Sequence, residues 1–331
     1  MTLLEAKAIV YWVYRVFNNA EDRISFTKQL FREIKDLYGI KNYIVESRGV
    51  FYNKRKVEIH FISSLSKYNA FIANMKTDNK YVFYRGHSSA NYRLQPSIMR
   101  NNNWEKNECD MYNELLIECP ECFEKCNTHL ERLVEMQHYG LPTRLLDITR
   151  NPLVALYFAC TSNLDSYGEV VLISTEKENI KYPQSDTATV LSSLPLFDNK
   201  DKQDIKNLAQ TSVNDTEFNQ KVPRLLHEIR LEKPAFLPEI YRQDICNSFV
   251  VLALKNNNRI VKQDGAFILC GLIDKENLLN EYRYKAKRKT VILLIDKKKT
   301  ILDDLNRFSI NNATLFPEID KVSEYIKNKY N

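Results

Sequence analysis

The segment from Met136 to Cys160 constrains the fold of this chain most, because it joins two predicted helices through a short polar stretch. Gly140 can end the first helix in a left-handed conformation, and Pro142 then prevents that helix from continuing. Residues 145–149 have the pattern of a short strand, and Pro152 suits the first turn of the apolar helix that follows. The segment therefore predicts a helix, a turn, a strand and a buried helix in direct succession.

Several polar side chains of this segment lie between the two predicted helices: His138, Thr143, Arg144, Asp147 and Thr149. Burying a polar group is costly unless it is paired, so this concentration beside a core indicates a binding or catalytic site. The alternative is a structural junction in which Arg144 and Asp147 neutralise each other. The sequence leaves both interpretations open.

The composition is that of a soluble globular protein of one large domain or two of ordinary size, with 331 residues, 44% of them hydrophobic. No apolar run approaches the roughly 18–20 residues that span a bilayer, and the N-terminal stretch lacks the basic region of a signal peptide. Seven scattered cysteines favour reduced thiols and a cytoplasmic location. The net charge of +6 permits an anionic partner without requiring one.

The predicted elements suggest two parts. Helices at 3–17 and 22–39, two strands within 42–63 and a helix at 64–75 form an N-terminal helical and β-hairpin elaboration of residues 1–75, and the main domain covers 76–331. In the main domain we predict two helices over 104–137 that are broken near Pro120, a polar loop over 175–200, a helical region over 201–231, and strands at 168–173 and 291–295. Strands and helices alternate without a βαβ rhythm. This favours an α+β fold with mixed or antiparallel central sheets flanked by helices.

Arginine side chains are the candidate anion-binding groups. Arg85 ends a strand at a glycine turn, where its side chain would be held rigidly, and Arg100 follows in a second polar stretch. The planar guanidinium suits phosphate because it donates two parallel hydrogen bonds, although any single arginine could equally form a surface salt bridge. The chain has only seven glycines and no glycine-rich phosphate loop, so arginines would have to bind phosphate.

Cys119, Cys122, Cys126 and His129 have a spacing that invites a zinc interpretation. That spacing is also the stripe of one continuous helix, which cannot place four ligands tetrahedrally around an ion. We therefore predict a cysteine-rich core stripe and no metal site.

Three sequence clusters together resemble the FRG domain family, named after its Phe/Tyr-Arg-Gly motif. The clusters are Phe83-Tyr84-Arg85-Gly86 with Leu94-Gln95-Pro96-Ser97 and Arg100; residues 137–147 with Asn151-Pro152 and the following apolar run; and Arg259 with Gln263, Gly265 and Phe267. The segment Leu315-Phe316-Pro317-Glu318 also resembles the end of that family's domain. The resemblance spans about residue 76 to the C-terminus.

The order of these motifs is similar to that of the ADP-ribosyltransferase superfamily, which implies an ADP-ribosyltransferase-like fold and NAD as the nucleotide. By that resemblance Arg85 would hold the dinucleotide, and the segment 143–149 with the following helix would shape the nicotinamide pocket. Gln263, near a late strand, would take the place of the Glu or Gln that stabilises the transition state. The candidate catalytic residues are Arg85, His138, Asp147 and Gln263, and the candidate nucleotide-binding residues are Tyr84, Ser97, Arg100, Thr143, Arg144, Thr149 and Arg259.

Cleavage of the nicotinamide–ribose bond develops positive charge that a carboxylate can stabilise, which favours Asp147, with His138 as an acid/base partner. The structural alternatives are a salt bridge from Asp147 to Arg144 and a helix C-terminal cap for His138.

Three functions follow as hypotheses. The first is an ADP-ribosyltransferase or NAD-cleaving effector in bacterial defence or toxicity, with a protein or nucleic-acid acceptor and no membrane partner. The second is a non-catalytic ligand-sensing or protein-interaction module. The third, resting on the mild positive charge and the basic runs near 285–289 and 297–299, is nucleic-acid binding or cleavage. The first two require the three clusters to meet at one anion-binding cavity.

Overall fold

The computed structural model describes residues 49–50, 56–255, 257–273 and 279–329. The helices predicted at 3–17 and 22–39, and the first of the two strands predicted within 42–63, at residues 43–45, lie outside the described residues. Within them, ten strands form one mixed, curled sheet with helices packed against it. The predicted α+β class is confirmed, with one sheet where the sequence left room for several.

The strands are β1 (Gly49–Val50), β2 (Lys56–Ile62), β3 (Tyr81–His87), β4 (Leu145–Thr149), β5 (Gly168–Thr175), β6 (Ile180–Lys181), β7 (Ser248–Leu252), β8 (Gly265–Cys270), β9 (Lys285–Ala286) and β10 (Lys289–Ile295). The α-helices are α1 (Leu65–Ala73), α2 (Asn102–Lys106), α3 (Glu108–Glu118), α4 (His129–His138), α5 (Pro152–Cys160), α6 (Asp186–Ser192), α7 (Asn199–Thr211), α8 (Asp215–Lys221), α9 (Pro223–Glu232), α10 (Arg242–Ile245), α11 (Asn258–Gln263), α12 (Lys298–Arg307), α13 (Asn312–Leu315) and α14 (Ile319–Lys329).

The strand order across the sheet is β1-β2-β10-β5-β3-β4-β8-β7-β6, with β9 paired to β10. Strand β2 runs parallel to β10 and β6 parallel to β7, whereas the other described pairs are antiparallel. The predicted division of the chain at residue 75 stays a prediction. Strand β2, which precedes that position, is nevertheless bonded to β10 over its whole length.

Strands β3 and β4 are joined much more weakly than their neighbours. Strand β3 pairs with β5 through seven residue pairs, but with β4 only through Tyr84 and Thr149. Continuing that register would place Gly86 opposite Asp147, and this pairing does not form. The sheet therefore opens between β3 and β4 just beyond Tyr84.

Helix α5 is held tightly against β3. It begins as its sequence predicts: the side chain of Asn151 accepts a hydrogen bond from the Leu153 amide at 2.9 Å, and Pro152 occupies the first turn. A Cβ at Gly86 would lie 2.0 Å from the carbonyl oxygen of Ala155, closer than any real contact. Glycine at this position therefore allows the helix to pack directly on the strand.

Separate cores surround the sheet. Helices α1, α5 and α12 bury their apolar side chains against β2, β5 and β10. Helices α3, α4 and α6 cover β4, β7 and β8, and helices α7 to α10 add a satellite core around Phe218 and Ile229. Buried apolar area of this kind is the main favourable term in folding.

Two predictions of local structure are wrong. The cysteine-rich core stripe does not form, because Cys119 and Cys122 are exposed. The break predicted near Pro120 is confirmed: α3 ends at Glu118, a 3-10 turn covers Pro120–Phe123, and α4 begins at His129. Residues 175–200, predicted as a loop, contain β6 and α6. No cluster of three or more His, Cys, Asp or Glu side chains suited to a metal occurs among the described residues. In the same part of the chain, no helix is long and apolar enough to cross a membrane.

Candidate functional site

A cavity of about 230 Å³, here called the main cavity, opens where β3 and β4 separate. Residues far apart along the chain meet there because β3, β4, β8, α4, α5 and α11 all contribute to its wall. The candidate site residues that line it are Tyr84, Arg85, His138, Asp147, Thr149, Arg259 and Gln263. Its apolar wall includes Ile148, Phe158 and Phe267.

The guanidinium of Arg85 bridges the gap between the two strands. Its Nη1 donates to the backbone carbonyl of Asp147 at 2.5 Å and lies 3.6 Å from Asp147 Oδ2. Its Nε donates to Nε2 of His87 at 3.2 Å. Burial lowers the pKa of Arg85, and Asp147 opposes that change. Arg85 therefore occupies the place where main-chain pairing between β3 and β4 stops, and it is held on two sides.

The carboxylate of Asp147 is 65% exposed and faces the main cavity. Its Oδ1 accepts a hydrogen bond from Gln137 Nε2 at 2.7 Å, and the Gln137 carbonyl in turn accepts one from the hydroxyl of Thr143. Gln137 belongs to the last turn of α4 and was not among the predicted site residues. The signal for it was its place directly before His138 in the polar segment.

Arg144 lies away from the main cavity and does not pair with Asp147. It is buried, and its Nε donates to Glu108 Oε1 at 3.0 Å while its Nη1 donates to the carbonyl of Cys270 at 3.0 Å. Lys202 donates to Glu108 Oε2 at 2.8 Å. Although burial alone raises the pKa of Glu108, the two cations lower it. The structure thus places Arg144 in a buried ion cluster under the site, and the proposed pairing of Arg144 with Asp147 is wrong.

Ser97, Thr143 and Arg100 also lie outside the lining of the main cavity. The hydroxyl of Ser97 accepts a hydrogen bond from the Thr143 amide at 3.0 Å, which ties the 3-10 turn Ser97–Arg100 to the start of β4. Arg100 lines a neighbouring cleft that also contains Arg85.

Behind Arg85 runs a buried polar chain. Because His87 Nε2 accepts from Arg85, the neutral imidazole carries its proton on Nδ1, which points to Glu169 Oε2 at 3.9 Å. Glu169 pairs with Arg283 at 2.5 Å. Burial lowers the pKa of His87 to about 4, and it also opposes the ionisation of Glu169, whose pKa Arg283 nevertheless holds at about 2. The imidazole at position 87 is therefore neutral at neutral pH.

The residues Leu315–Glu318, here called the closing segment, contact side chains of α4 and α11 that line the main cavity. Gln263 Nε2 donates to the carbonyl of Leu315 at 3.0 Å, and Oε1 of Glu318 lies 3.0 Å from His138 Nε2. The ring of Phe316 lies 4.7 Å from the guanidinium carbon of Arg259 and 5.9 Å from the ring of Phe158. Three candidate site residues are therefore engaged by this segment.

Residues 80–167 match the sequence profile of the FRG domain. The chain contains an FRG domain. No curated protein and no solved structure matches the chain. The FRG domain match supplies both edges of the opening in the sheet, since it contains Arg85 on β3 and Asp147 on β4. Arg259 and Gln263 line the cavity from beyond the matched residues, and the closing segment, also beyond them, contacts both side chains.

Proposed function

We propose that the chain binds an NAD-like nucleotide in the main cavity and cleaves its nicotinamide–ribose bond, transferring the ADP-ribosyl group to water or to an acceptor. The observation that carries this proposal is the arrangement of Arg85 and Asp147 at one cavity with an apolar wall. A guanidinium suits a phosphate oxygen, and an exposed carboxylate suits a developing positive charge. The apolar wall suits a planar ring.

The reaction separates charge in a way that Asp147 can stabilise. As the bond between the ribose and the nicotinamide nitrogen breaks, its electron pair leaves with nicotinamide and positive charge develops on the ribose. Asp147 is oriented for this role because Gln137 and Arg85 each approach one of its oxygens. A water or acceptor hydroxyl then bonds to the ribose carbon and loses its proton, and His138 is the base in reach of the cavity.

Release of nicotinamide from NAD, followed by chromatography, tests the reaction, and calorimetry with millimolar NAD tests the binding step. Asp147→Asn should keep binding but lower turnover at least a hundredfold, because only charge stabilisation is removed. Arg85→Gln should weaken binding itself. Asp110→Asn, at an exposed aspartate on α3, is the control. Absence of both turnover and binding would refute the proposal.

A second candidate is a ligand-sensing module without chemistry. The closing segment favours this candidate, because Gln263 and His138 already form hydrogen bonds with Leu315 and Glu318. Side chains engaged in this way are not free to act on a substrate. Binding of NAD that Arg85→Gln abolishes, with no nicotinamide released and no labelled ADP-ribose transferred to protein or nucleic acid, would establish this function. An NAD-cleaving effector of bacterial defence is the role that the first candidate would serve, and loss of cellular NAD on expression tests it.

A further inference from the structure

A second cavity, larger and more open, lies on the other side of Arg85. It measures about 880 Å³ and shares Arg85, Gly86 and Phe158 with the main cavity. Its remaining lining is mostly polar, and we call it the arginine cleft because Arg85, Arg93 and Arg100 all line it. No carboxylate is among its lining residues.

Arg85 pairs with Asp147, but the positive charges of Arg93 and Arg100 are not neutralised by any described residue. In the ranges that the structure describes, neither Arg93 nor Arg100 forms an ion pair, and both are exposed. The Arg100 side chain donates a long hydrogen bond from Nη2 to the Gln95 backbone carbonyl at 3.4 Å. Arg100 also lowers the pKa of Arg85, as a nearby like charge does. A bound anion would relieve this repulsion.

The walls of the arginine cleft are anchored before any ligand arrives. Lys298, which is buried, donates to the carbonyls of Ser88 at 2.6 Å and Asn163 at 2.7 Å. The Asn163 amide donates to the hydroxyl of Tyr92 at 3.0 Å and to that of Ser88 at 3.0 Å. Below the arginines, Leu94 and its apolar neighbours pack into the core. A preformed site loses less entropy on binding than a mobile one.

We propose that the arginine cleft binds the phosphate groups of a diphosphate-containing ligand. Arg93 and Arg100, two guanidinium groups without acidic partners, lie beside Arg85 and match the charge and the bidentate geometry of phosphate oxygens. Arg85 lies between the two cavities, so a ligand whose phosphates occupy the arginine cleft can extend its other end into the main cavity. This extension rests on the proposed function, whereas the phosphate site itself does not.

Calorimetry with inorganic pyrophosphate tests the site directly. Arg93→Gln and Arg100→Gln should each weaken pyrophosphate binding about tenfold, and the double variant should abolish it at millimolar concentration. Arg307→Gln removes the same charge from an exposed position on α12 and should leave the affinity unchanged. Circular dichroism checks that each variant is folded. Wild-type affinity in the double variant, or an equal loss in Arg307→Gln, would overturn the proposal.

Titration of NAD into the same proteins separates the two proposals. Arginine-dependent binding of pyrophosphate without binding of NAD would support the phosphate site and refute the proposed function. Binding of NAD that is unchanged in the double variant would refute the phosphate site and support the proposed function. Binding of both ligands, each weakened by Arg100→Gln, would support one continuous ligand site.

Discussion

Nε2 of His138 lies 3.0 Å from Oε1 of Glu318, which joins the end of α4 to a residue 180 positions later in the chain. The other polar atoms of this pair, Nδ1 of His138 and Oε2 of Glu318, are buried without a hydrogen-bond partner. The contact therefore fixes the closing segment against the main cavity while leaving two polar groups unsatisfied. Buried polar groups without partners weaken such a contact, because the cost of desolvating them is not offset.

Removing the carboxylate should loosen the closing segment. We expect Glu318→Ala to speed amide hydrogen exchange in residues 312–329, because the segment loses its polar link to α4. If NAD binds as proposed, its affinity should rise severalfold in this variant, since His138 becomes available. Hydrogen exchange measured by mass spectrometry and calorimetry provide the readouts. Glu281→Ala, at an exposed glutamate, is the control, and unchanged exchange in Glu318→Ala would contradict the prediction.

Gly86 should tolerate no side chain. Gly86→Ala would push a methyl group to 2.0 Å from the Ala155 carbonyl, so that α5 must move away from β3. We expect the free energy of unfolding to fall by about 3 kcal/mol, at the upper end of the usual cost of overpacking. Gly265→Ala is the matched control because its added Cβ would make ordinary contacts of 3.5 Å or more with Ile260. Urea denaturation measures both, and equal effects would show that the close approach is not needed.

The buried ion cluster under the site should be essential for stability. Glu108→Gln leaves Arg144 and Lys202 without their carboxylate, and one uncompensated buried charge typically costs about 3–5 kcal/mol. We expect a loss of this size in the free energy of unfolding. Glu114→Gln changes an exposed glutamate of the same helix and should shift it by less than about 0.5 kcal/mol. A small effect of Glu108→Gln would mean that the cluster is hydrated.

Stability should fall on acidification between pH 6.5 and pH 4. Burial lowers the pKa of His87 to about 4, whereas an unfolded histidine has a pKa of about 6.5. Between these values the unfolded chain binds a proton that the folded chain does not, so the stability present above pH 6.5 is lost as pH falls through about 4. The difference amounts to roughly 3 kcal/mol for one such group.

Urea denaturation at a series of pH values tests this dependence. His129 has a pKa lowered to about 4 by burial and, secondarily, by Arg132. It therefore adds to the slope with which the free energy of unfolding falls as the pH is lowered. His87→Gln should therefore reduce the slope without removing it. The same replacement at the exposed His227 is the control. An identical slope in His87→Gln and wild type would show that this imidazole does not titrate as its burial implies.

Local structure was predictable where one residue type dictates a backbone conformation. Gly140 has φ +91°, Asn151 caps α5 and Pro152 starts it, as the pattern from 136 to 160 predicts. Prediction succeeded for the break at Pro120 but failed for the cysteines beside it, because Cys119 and Cys122 are exposed and the second helix begins only at His129. It also failed for β6, a strand of two residues whose pairing partner β7 lies seventy residues later. Short elements of this kind depend on tertiary contacts and not on local propensity.

The sequence by itself determined the α+β class and the FRG domain, and it singled out seven residues that line the main cavity. Only the tertiary structure decided the partners of the charged groups. Arg144 and Asp147 are three positions apart, and an odd spacing along a strand sends side chains to opposite faces. Arg144 therefore meets Glu108 in the core while Asp147 meets Arg85 across the opening in the sheet. An ion pair requires two charged groups within a few ångströms of each other. The number of residues between them determines that distance only when both belong to one helix or strand.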